Sequence, residues 1–415
     1  MSAPRFLNVF LRGRHIGELR GKDLKLSFQY DSATVAEYGA GSILLSLSMP
    51  VRRKRYEGPE VYNYFDGLLP EGQVRAHLAS QNNVSTPDAY GLLTVLGADC
   101  AGAVQVLPPE VEPEAPLAAA PMTEDQVTAA VESLPTWELP EGFLVTASLG
   151  GVQSKVLLTR LADGWAWPGR GAASTHIIKP APTDAAIPLL LPSEHWALSL
   201  AAAAGLPAAS TSMETFGSRQ AIVVERFDRG DDGSRLHQED FTQALSLPSS
   251  SKYEGGLAAR SRLGQIAGLA APFTRSADAF HCDLLRAITF NLLIGNGDAH
   301  SKNYSLSLGD NGEVRLAPLY DVAPTLLLYA QSVNAGHTVN RQIRLPYITL
   351  EHLVAEAVSW GLGEDAARNT TEAVLHDAAE AAADVPAPVD LEFLQDLIPK
   401  RASQLLAGGT AGRTL

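Results

Sequence analysis

The chain has 415 residues, 46% of them hydrophobic and 19% charged, with a formal net charge of −14 and a pI near 5.2. A surface of this sign repels nucleic acid and anionic membranes, so we expect any contact with DNA to need a basic partner. The two cysteines supply neither a disulfide framework nor a zinc-ligand set, which favours a reducing, cytoplasmic location. The sequence shows no secretory signal pattern and no apolar run of membrane-spanning length, so no membrane contact is expected.

The predicted elements begin with short strands over residues 6–30, where apolar and polar residues alternate. A helix and a strand follow in 89–107, strands with glycine turns in 143–228, and mostly helices beyond 237. Strands followed by helices predict an α+β fold with two lobes. The predicted domains are an N-terminal subdomain (1–107), a proline-rich linker (108–122), a β-rich nucleotide-binding lobe (123–228), an α-helical catalytic lobe (229–405) and a flexible tail (406–415).

Capping signals predict the ends of several helices. Thr123 is expected to cap a short helix that follows the linker. Ser193 is expected to begin a second helix, and Gly205 to end it. A further helix is predicted over QEDFTQALSL, residues 238–247.

A polar segment, GNGDAHSKN at 295–303, interrupts a strongly apolar stretch. Buried charge is costly unless it is paired or binds an ion, so the segment is either a surfacing loop or a site. Downstream, Asn311-Gly312 lies between two alternating runs, which is a strong hairpin signal. We expect this hairpin to carry Asp321 towards Asp298 and Asn303.

The spacing of these three residues suits phosphoryl transfer. That reaction needs a carboxylate facing the acceptor hydroxyl, and oxygen ligands for the Mg²⁺ ions that bridge the nucleotide phosphates. Asp298 has the position of the carboxylate that faces the acceptor hydroxyl. Asn303 and Asp321 supply hard oxygen donors that suit Mg²⁺. The alternative is that the five-residue spacing arises by chance and that Asp321 only caps a turn.

The β-rich lobe offers candidate nucleotide-binding groups. SLGGVQSK, residues 148–155, lies between strands, where its backbone amides could cradle phosphate, although it could also be a plain tight hairpin. Lys179 ends a strand and could reach a phosphate, with Glu194 on the next helix as an ion-pair partner; strand-edge lysines are also often only solvated. VVERFDR, residues 223–229, could be the hinge that faces adenine or an ordinary exposed exit.

The chain resembles the HipA family, the toxin kinases of bacterial HipBA toxin–antitoxin systems. The resemblance rests on YFDGLLPEG, SLGGVQSK, THIIKP, VERFDR, HQEDFTQALSLPSSSKYE, IGNGDAHSKNYSL and LYDVAP. It implies a serine/threonine protein kinase with a phosphatidylinositol-kinase-like core, in which Asp298 is the catalytic base and Asn303 and Asp321 are Mg²⁺ ligands. The ATP-binding residues implied by motif match are Gly150, Gly151, Val152, Gln153, Ser154, Lys155, Lys179, Glu225, Arg226, Phe227, His300, Ser301, Lys302, Asn303, Tyr320 and Asp321.

The resemblance also implies regulation and partners. Ser148 has the position of the serine whose autophosphorylation ejects the glycine loop in the family and silences the kinase. A small DNA-binding antitoxin similar to HipB is the implied partner, and a translation component such as an aminoacyl-tRNA synthetase is the implied substrate. Ser154 departs from the Glu or Pro often found there in the family. Few Lys or Arg residues follow residue 350, so DNA contact is expected only through the antitoxin.

Two other functions remain open. A non-catalytic scaffold or corepressor would keep the fold and act by binding an antitoxin, but pseudokinases usually lose at least one of the three residues Asp298, Asn303 and Asp321. A small-molecule or lipid kinase would fit Asp298, His300 and Asn303, although no membrane-binding surface is apparent in the sequence.

Overall fold

A computed structural model of the chain describes residues 5–22, 25–113, 119–134, 145, 148–151, 153–169, 172–182, 189–255, 260–329 and 333–412. The chain divides into two compact units. The first unit comprises Met1–Ala181, Met213–Ser249 and Leu308–Gly312, and the second comprises Pro182–Ser212, Ser250–Ser307 and Glu313–Leu415. Within the described part of the chain, no helix combines the length and the apolar character needed to cross a membrane.

The secondary structure mixes strands and helices along the chain. The described strands are β1 (Leu7–Leu11), β2 (Arg14–Lys22), β3 (Lys25–Tyr30), β4 (Val104–Leu107), β5 (Ala120–Met122), β6 (Val156–Leu161), β7 (Gly164–Trp167), β8 (His176–Pro180), β9 (Thr211–Phe216), β10 (Arg219–Glu225), β11 (His237–Asp240), β12 (Ser305–Leu308), β13 (Val314–Leu316), β14 (Asn334–Val339) and β15 (Gln342–Arg344). The described α-helices are α1 (Ser32–Tyr38), α2 (Pro59–Gly67), α3 (Gly72–Gln81), α4 (Ala89–Leu96), α5 (Glu124–Glu132), α6 (Leu190–Ala203), α7 (Phe241–Ala244), α8 (Arg262–Ala270), α9 (Ala277–Ile294), α10 (Thr325–Leu328), α11 (Leu350–Ser359), α12 (Glu364–Ala381) and α13 (Phe393–Leu406).

The first unit contains two sheets with a shared core. One has the strand order β3-β2-β1-β4, and the other has the order β5-β7-β6-β8-β10-β9. In β3 the period-two pattern places Leu26, Phe28 and Tyr30 on the buried face. Phe28 belongs to the same buried apolar cluster as Ile178 and Val223 of the second sheet. This continuous core explains why the predicted N-terminal subdomain and most of the predicted β-rich lobe fall into one unit.

The second unit is built around helix α9, which packs against α11, α12 and α13. The Ser276 side chain caps α9 by accepting a hydrogen bond from the backbone amide of Ala279. Along the helix, Leu284 and Phe290 are fully buried, and each such side chain contributes about 1.5–3 kcal/mol through burial. At its other end α9 stops at Gly295, whose φ of +82° is a left-handed conformation that favours glycine. The polar segment therefore begins where a rigid, buried helix ends.

Several predicted boundaries differ from the structure. Residues 120–122, predicted as linker, form β5, which is antiparallel to β7 with Ala120 opposite Trp167. The helix predicted to begin at Ser193 begins at Leu190, and the Ser193 hydroxyl donates to the Leu190 carbonyl within it. Its predicted end is confirmed, since α6 stops at Ala203 just before Gly205. The predicted domain boundary at residue 228 falls inside the first unit, whereas α6 belongs to the second.

Two further predictions are corrected by tertiary contacts. The helix predicted over 238–247 is only the short α7, because the preceding residues form strand β11. The predicted flexible tail is ordered as far as it is described: Ala411 is fully buried, and its amide donates to the Ile348 carbonyl. The predicted helix after Thr123 is confirmed, with a capping box between Thr123 and Gln126. The strand predicted at 143–147 lies outside the described residues, except for residue 145.

A buried carboxyl in the first unit predicts a pH-dependent stability. Burial raises the pKa of Glu239 from its usual 4.5 to about 8, although the Leu47 amide and the Ser46 hydroxyl donate to its carboxyl group. The folded chain therefore holds a proton that the unfolded chain releases, and the free energy of unfolding falls as pH rises from about 5 through 8.

Glu239→Gln removes this titration while keeping the shape of the side chain. We expect the free energy of unfolding of the variant, measured with urea at pH 6 and pH 9, to change with pH by at least about 1 kcal/mol less than that of the wild type. Glu110→Gln, on the exposed surface of the same unit, is the control. An unchanged pH slope in Glu239→Gln would contradict the prediction.

Candidate active site

The polar segment is anchored in helix α9 by buried amide side chains. The Asn296 side-chain amide donates to the Asn291 side chain (2.7 Å), and the Asp298 backbone amide donates to the Asn296 side-chain oxygen (3.0 Å). Both asparagines are almost completely buried. The backbone at Asp298 is thus held by the helix independently of what its carboxylate does.

Asp298 and Asn303 are in direct contact. The Asn303 side-chain Nδ2 donates to the Asp298 carbonyl (2.9 Å), which also accepts from the His300 amide (2.7 Å). Ser301–Asn303 form one 3₁₀ turn that closes the segment. Because the Asn303 amide nitrogen makes this bond, the amide oxygen is directed to the other side as an acceptor. The five-residue spacing therefore brings the two residues together, as predicted.

The predicted hairpin is confirmed, and Asp321 lies beyond it. Strands β12 and β13 are neighbours in a sheet, and Gly312 in their turn has a φ of +75°. Tyr320 then ties the hairpin to the polar segment, because its hydroxyl donates to the Lys302 carbonyl (2.8 Å). Asp321 follows with a φ of +56°, a left-handed conformation that aspartate adopts more readily than most residues.

His300 is the titratable side chain on which the charges of Asp298 and Asp321 both act. Burial lowers the pKa of His300, and the two carboxylates oppose that shift. The ring is therefore neutral near pH 7 and makes no ion pair with Asp298, whose Oδ1 is 3.9 Å from its Nε2.

Asn303 and Asp321 provide two of the oxygen donors that a Mg²⁺ site needs. Among the described residues, no group of three His, Cys, Asp or Glu side chains could hold a metal ion. Mg²⁺ in nucleotide sites is commonly bound by one or two carboxylates together with the phosphates. One carboxylate from Asp321 and one amide oxygen from Asn303 fit that pattern.

Tyr253 is a contact of the site that the sequence analysis did not single out. Its hydroxyl donates to Asp298 Oδ1. Its ring meets the His300 ring edge to face, with the centroids 4.9 Å apart at 86°. In the sequence, LPSSSKYE is one of the family-like motifs, and nothing in its local pattern indicates a long-range hydrogen bond.

The residues beside Tyr253 hold this segment in place. The Lys252 carbonyl accepts from the Ser301 amide (3.0 Å). Glu254 is buried, and its carboxylate accepts from the amides of Thr338 (2.9 Å) and Arg262 (3.2 Å). Residues 252–254 are therefore fixed to the polar segment on one side and to strand β14 on the other.

The glycine loop lies in the first unit, where the N-terminal subdomain holds its start. Ser148 is fully buried. Its hydroxyl donates to the Leu68 carbonyl (2.7 Å), and its amide donates to the Asp99 carbonyl (2.8 Å). The residue predicted as an autophosphorylation site is thus a buried anchor in this structure.

The tip of the loop is held in the same way. The Glu71 amide donates to the Gly151 carbonyl (3.0 Å), and Lys155 Nζ donates to the Gly150 carbonyl (2.7 Å). Gly151 has a φ of +107°, a conformation that requires glycine. Val152 lies outside the described residues, and Gln153 and Ser154 are half-buried.

Lys179 and Glu194 are both nearly buried, at 6% and 3% exposure. Lys179 lies on β8 opposite Ile222 of β10. Burial of an ammonium group needs a compensating charge or hydrogen bonds, which sets Lys179 apart from a solvated edge lysine. Glu194 belongs to the second unit, so the predicted ion pair stays a prediction.

The three residues of the predicted hinge differ in their surroundings. Glu225 ends β10 and is exposed, and Phe227 is half-buried. The Arg226 side chain, in contrast, is buried and donates to Asp228 (2.8 Å) and to the Ser174 hydroxyl (2.8 Å). The backbone amide of Arg226 donates to the Thr175 carbonyl (2.9 Å). The Arg226 side chain therefore has a structural role, and the place of residues 225–227 in an adenine-facing hinge stays a prediction.

Asp99 lies at the centre of this buried ion cluster. Its carboxylate meets Arg229 (2.8 Å), Arg226 (3.5 Å) and Arg235. Burial alone would raise the pKa of Asp99, but the three arginines hold it well below its usual range. Because the Asp99 carbonyl also binds the Ser148 amide, the cluster ties the N-terminal subdomain to the start of the glycine loop.

Comparisons with known proteins agree with this arrangement. Two family models match the chain: the HipA N-terminal domain over residues 7–107 and the HipA-like C-terminal domain over residues 147–382. A protein of Sinorhizobium fredii named "Putative kinase Y4mE" is 34% identical over 99% of this chain and 97% of its own length. The "Serine/threonine-protein kinase toxin HipA" of Shewanella oneidensis is 29% identical over 74% of this chain and 73% of its own.

A solved structure of similar fold is also known. The Shewanella oneidensis MR-1 HipA chain, solved with HipB and operator DNA, has a TM-score of 0.79 with 24% identity and covers 97% of this chain and 98% of its own. That likeness confirms the predicted α+β fold class. Together with the two family models, it shows that this chain belongs to the HipA family.

Proposed function

We propose that this protein is an ATP- and Mg²⁺-dependent serine/threonine protein kinase and the toxin of a type II toxin–antitoxin system. The observation that carries the proposal is the hydrogen bond from the Asn303 side chain to the Asp298 carbonyl, together with the bond from Tyr320, the neighbour of Asp321, to the Lys302 carbonyl of the same segment. This set provides a carboxylate and two hard oxygen donors close together, which phosphoryl transfer requires.

Asp298 would accept the proton of the acceptor hydroxyl as that oxygen attacks the terminal phosphorus of ATP, while the bond from this phosphorus to the bridging oxygen breaks and ADP leaves. Asn303 presents its amide oxygen because its nitrogen is held by the Asp298 carbonyl. Mg²⁺ held by Asn303 and Asp321 would neutralise charge on the phosphates. His300, neutral at pH 7, would contact the nucleotide without adding charge.

The remaining predicted ATP-binding residues form two groups: those that would bind ATP, and those that would hold the polar segment in place. Lys179 and the glycine loop would hold phosphate oxygens, and the backbone of Glu225 and Phe227 would face adenine. Ser301, Lys302 and Tyr320 would act mainly by holding the polar segment, since each makes a hydrogen bond within it or to its neighbours.

Autophosphorylation of Ser148 would silence the kinase. A phosphate adds about −1.5 to −2 charges and would repel the phosphates of ATP. The Ser148 hydroxyl is buried against the Leu68 carbonyl, so the loop has to leave this position before it can be modified. The modified side chain could not return, because the hydroxyl donor is lost and a dianion cannot be buried there.

The proposed partners follow from the relatives and from the charge of the chain. The Shewanella relative was solved with HipB and operator DNA. We expect a basic, HipB-like antitoxin for this chain as well, with DNA reached only through it because the net charge is −14. A translation component such as an aminoacyl-tRNA synthetase is the proposed substrate, and the cytoplasm the proposed location.

The test is incubation of unphosphorylated protein with γ-labelled ATP and Mg²⁺, followed by intact mass and peptide mapping. We expect one added phosphate, on Ser148. Ser148→Ala should lose self-labelling while keeping transfer to an added protein substrate, and Ser403→Ala, on the exposed face of α13, should label like the wild type. If the wild type binds no ATP and labels nothing, the chain acts as a non-catalytic antitoxin-binding scaffold instead.

A further inference from the structure

Tyr253 makes a specific contact with the proposed catalytic base. Its hydroxyl donates to Asp298 Oδ1, although its side chain is 49% exposed. An exposed tyrosine usually leaves its hydroxyl in water, so a hydrogen bond to a carboxylate at this position needs a cause. Hydrogen bonds to ionised acceptors are roughly twice as strong as neutral ones, which compensates for ordering the ring.

The contact uses only one side of the carboxylate. Within the described residues, the side-chain contacts of Asp298, from Tyr253 and from the more distant His300, both point to Oδ1. A carboxylate rotates about its Cβ–Cγ bond unless one oxygen is held, because that torsion is broad. With Oδ1 held, Oδ2 is directed to the opposite side and can accept a proton.

Tyr253 is itself held firmly. Its ring packs edge to face on His300, and its neighbour Lys252 accepts from both the Ser301 amide and the Arg262 guanidinium (each 3.0 Å). The same guanidinium donates to the Ser301 hydroxyl (3.2 Å). A side chain fixed by its ring and by its own backbone can fix the group that it binds.

We propose that Tyr253 is a positioning residue that anchors Asp298 Oδ1 and so presents Oδ2 to the acceptor hydroxyl. This inference rests on the proposed kinase function. Tyr253 takes no part in the proton transfer itself: the proton moves from the acceptor hydroxyl to Asp298, and the hydroxyl of Tyr253 stays protonated throughout.

The test compares Tyr253→Phe with the wild type in steady-state kinetics. The variant keeps the ring on His300 and removes only the hydroxyl, so we expect kcat to fall about 10- to 100-fold, because small misplacements of a catalytic group carry losses of this order. KM for ATP and the melting temperature should stay unchanged. Tyr347→Phe is the matched control, since Tyr347 lies in the same unit with 50% exposure and contacts Arg344 instead.

A second readout does not depend on activity. In crystal structures, the Asp298 carboxylate should have one orientation in the wild type and more than one in Tyr253→Phe. A single unchanged orientation together with an unchanged kcat would overturn the inference. A rise in kcat would overturn it too, because Tyr253 would then be blocking the place of the acceptor. If the wild type transfers no phosphate, the kinase proposal fails, and the orientation of Asp298 still decides whether Tyr253 positions it.

Discussion

Replacing Asp298 by asparagine is expected to reduce phosphate transfer at least about 10³-fold, because an amide cannot take the proton of the acceptor hydroxyl. The fold should be unaffected. Asp298 is held through its backbone, by the Asn296 side chain and by Asn303, and these bonds do not involve the carboxylate. The asparagine can also still accept the hydrogen bond of Tyr253 through its remaining oxygen.

The measurement is transfer from γ-labelled ATP to protein, with nucleotide binding and melting temperature recorded for the same samples. Asp377→Asn, on the exposed face of α12, makes the same chemical change away from the site and should behave as the wild type. Unreduced transfer by Asp298→Asn would show that another group is the base. Loss of ATP binding or of stability would show that the carboxylate has a structural role.

Gly336→Ala is expected to displace the backbone of the polar segment, although Gly336 itself lies in a neighbouring strand. Gly336 lies in strand β14, and a Cβ there would be 2.2 Å from the Ala299 carbonyl oxygen and 2.5 Å from the His300 amide nitrogen. Both atoms belong to the backbone of the segment that carries Asp298, and backbone cannot yield as a flexible side chain can. The strand and the segment must therefore separate. We expect a loss of about 3 kcal/mol in the free energy of unfolding and about a 100-fold loss of phosphate transfer.

The control for this variant is Gly255→Ala. A Cβ on Gly255 would meet no atom within 4 Å, so this substitution should leave stability and transfer close to those of the wild type. Both variants are compared by urea denaturation and by labelled-ATP transfer. Wild-type values for Gly336→Ala would mean that strand β14 does not press on the catalytic segment in solution.

Local patterns in the sequence were sufficient for much of the site. The spacing of Asp298 and Asn303 is a property of one short segment, and the Asn311-Gly312 turn is determined by neighbouring residues, so both could be predicted without tertiary information. Motifs such as SLGGVQSK, THIIKP and IGNGDAHSKNYSL carried the resemblance to the family that the two family models confirm.

Contacts distant in sequence could not be predicted in this way. The bond of Tyr253 to Asp298 spans 45 residues, and Arg226 is paired with Ser174, 52 residues away. The chain from 406 onward has the glycine-rich composition of a flexible tail, yet Ala411 is buried and its amide donates to the Ile348 carbonyl. Composition reports local preference, whereas burial depends on what packs against a segment.

The sequence by itself thus predicted the α+β fold class and the family, which the fold comparison and the family models confirm, because these depend on local spacing and on characteristic motifs. It also predicted Asp298, Asn303 and Asp321 as the central residues of the proposed site. Only the tertiary structure decided that Ser148 is a buried anchor, that Arg226 belongs to an ion cluster around Asp99, and that Tyr253 holds the Asp298 carboxylate. Each of these depends on which distant groups share a low-dielectric interior or a hydrogen bond, and such pairings are set by packing of the whole unit.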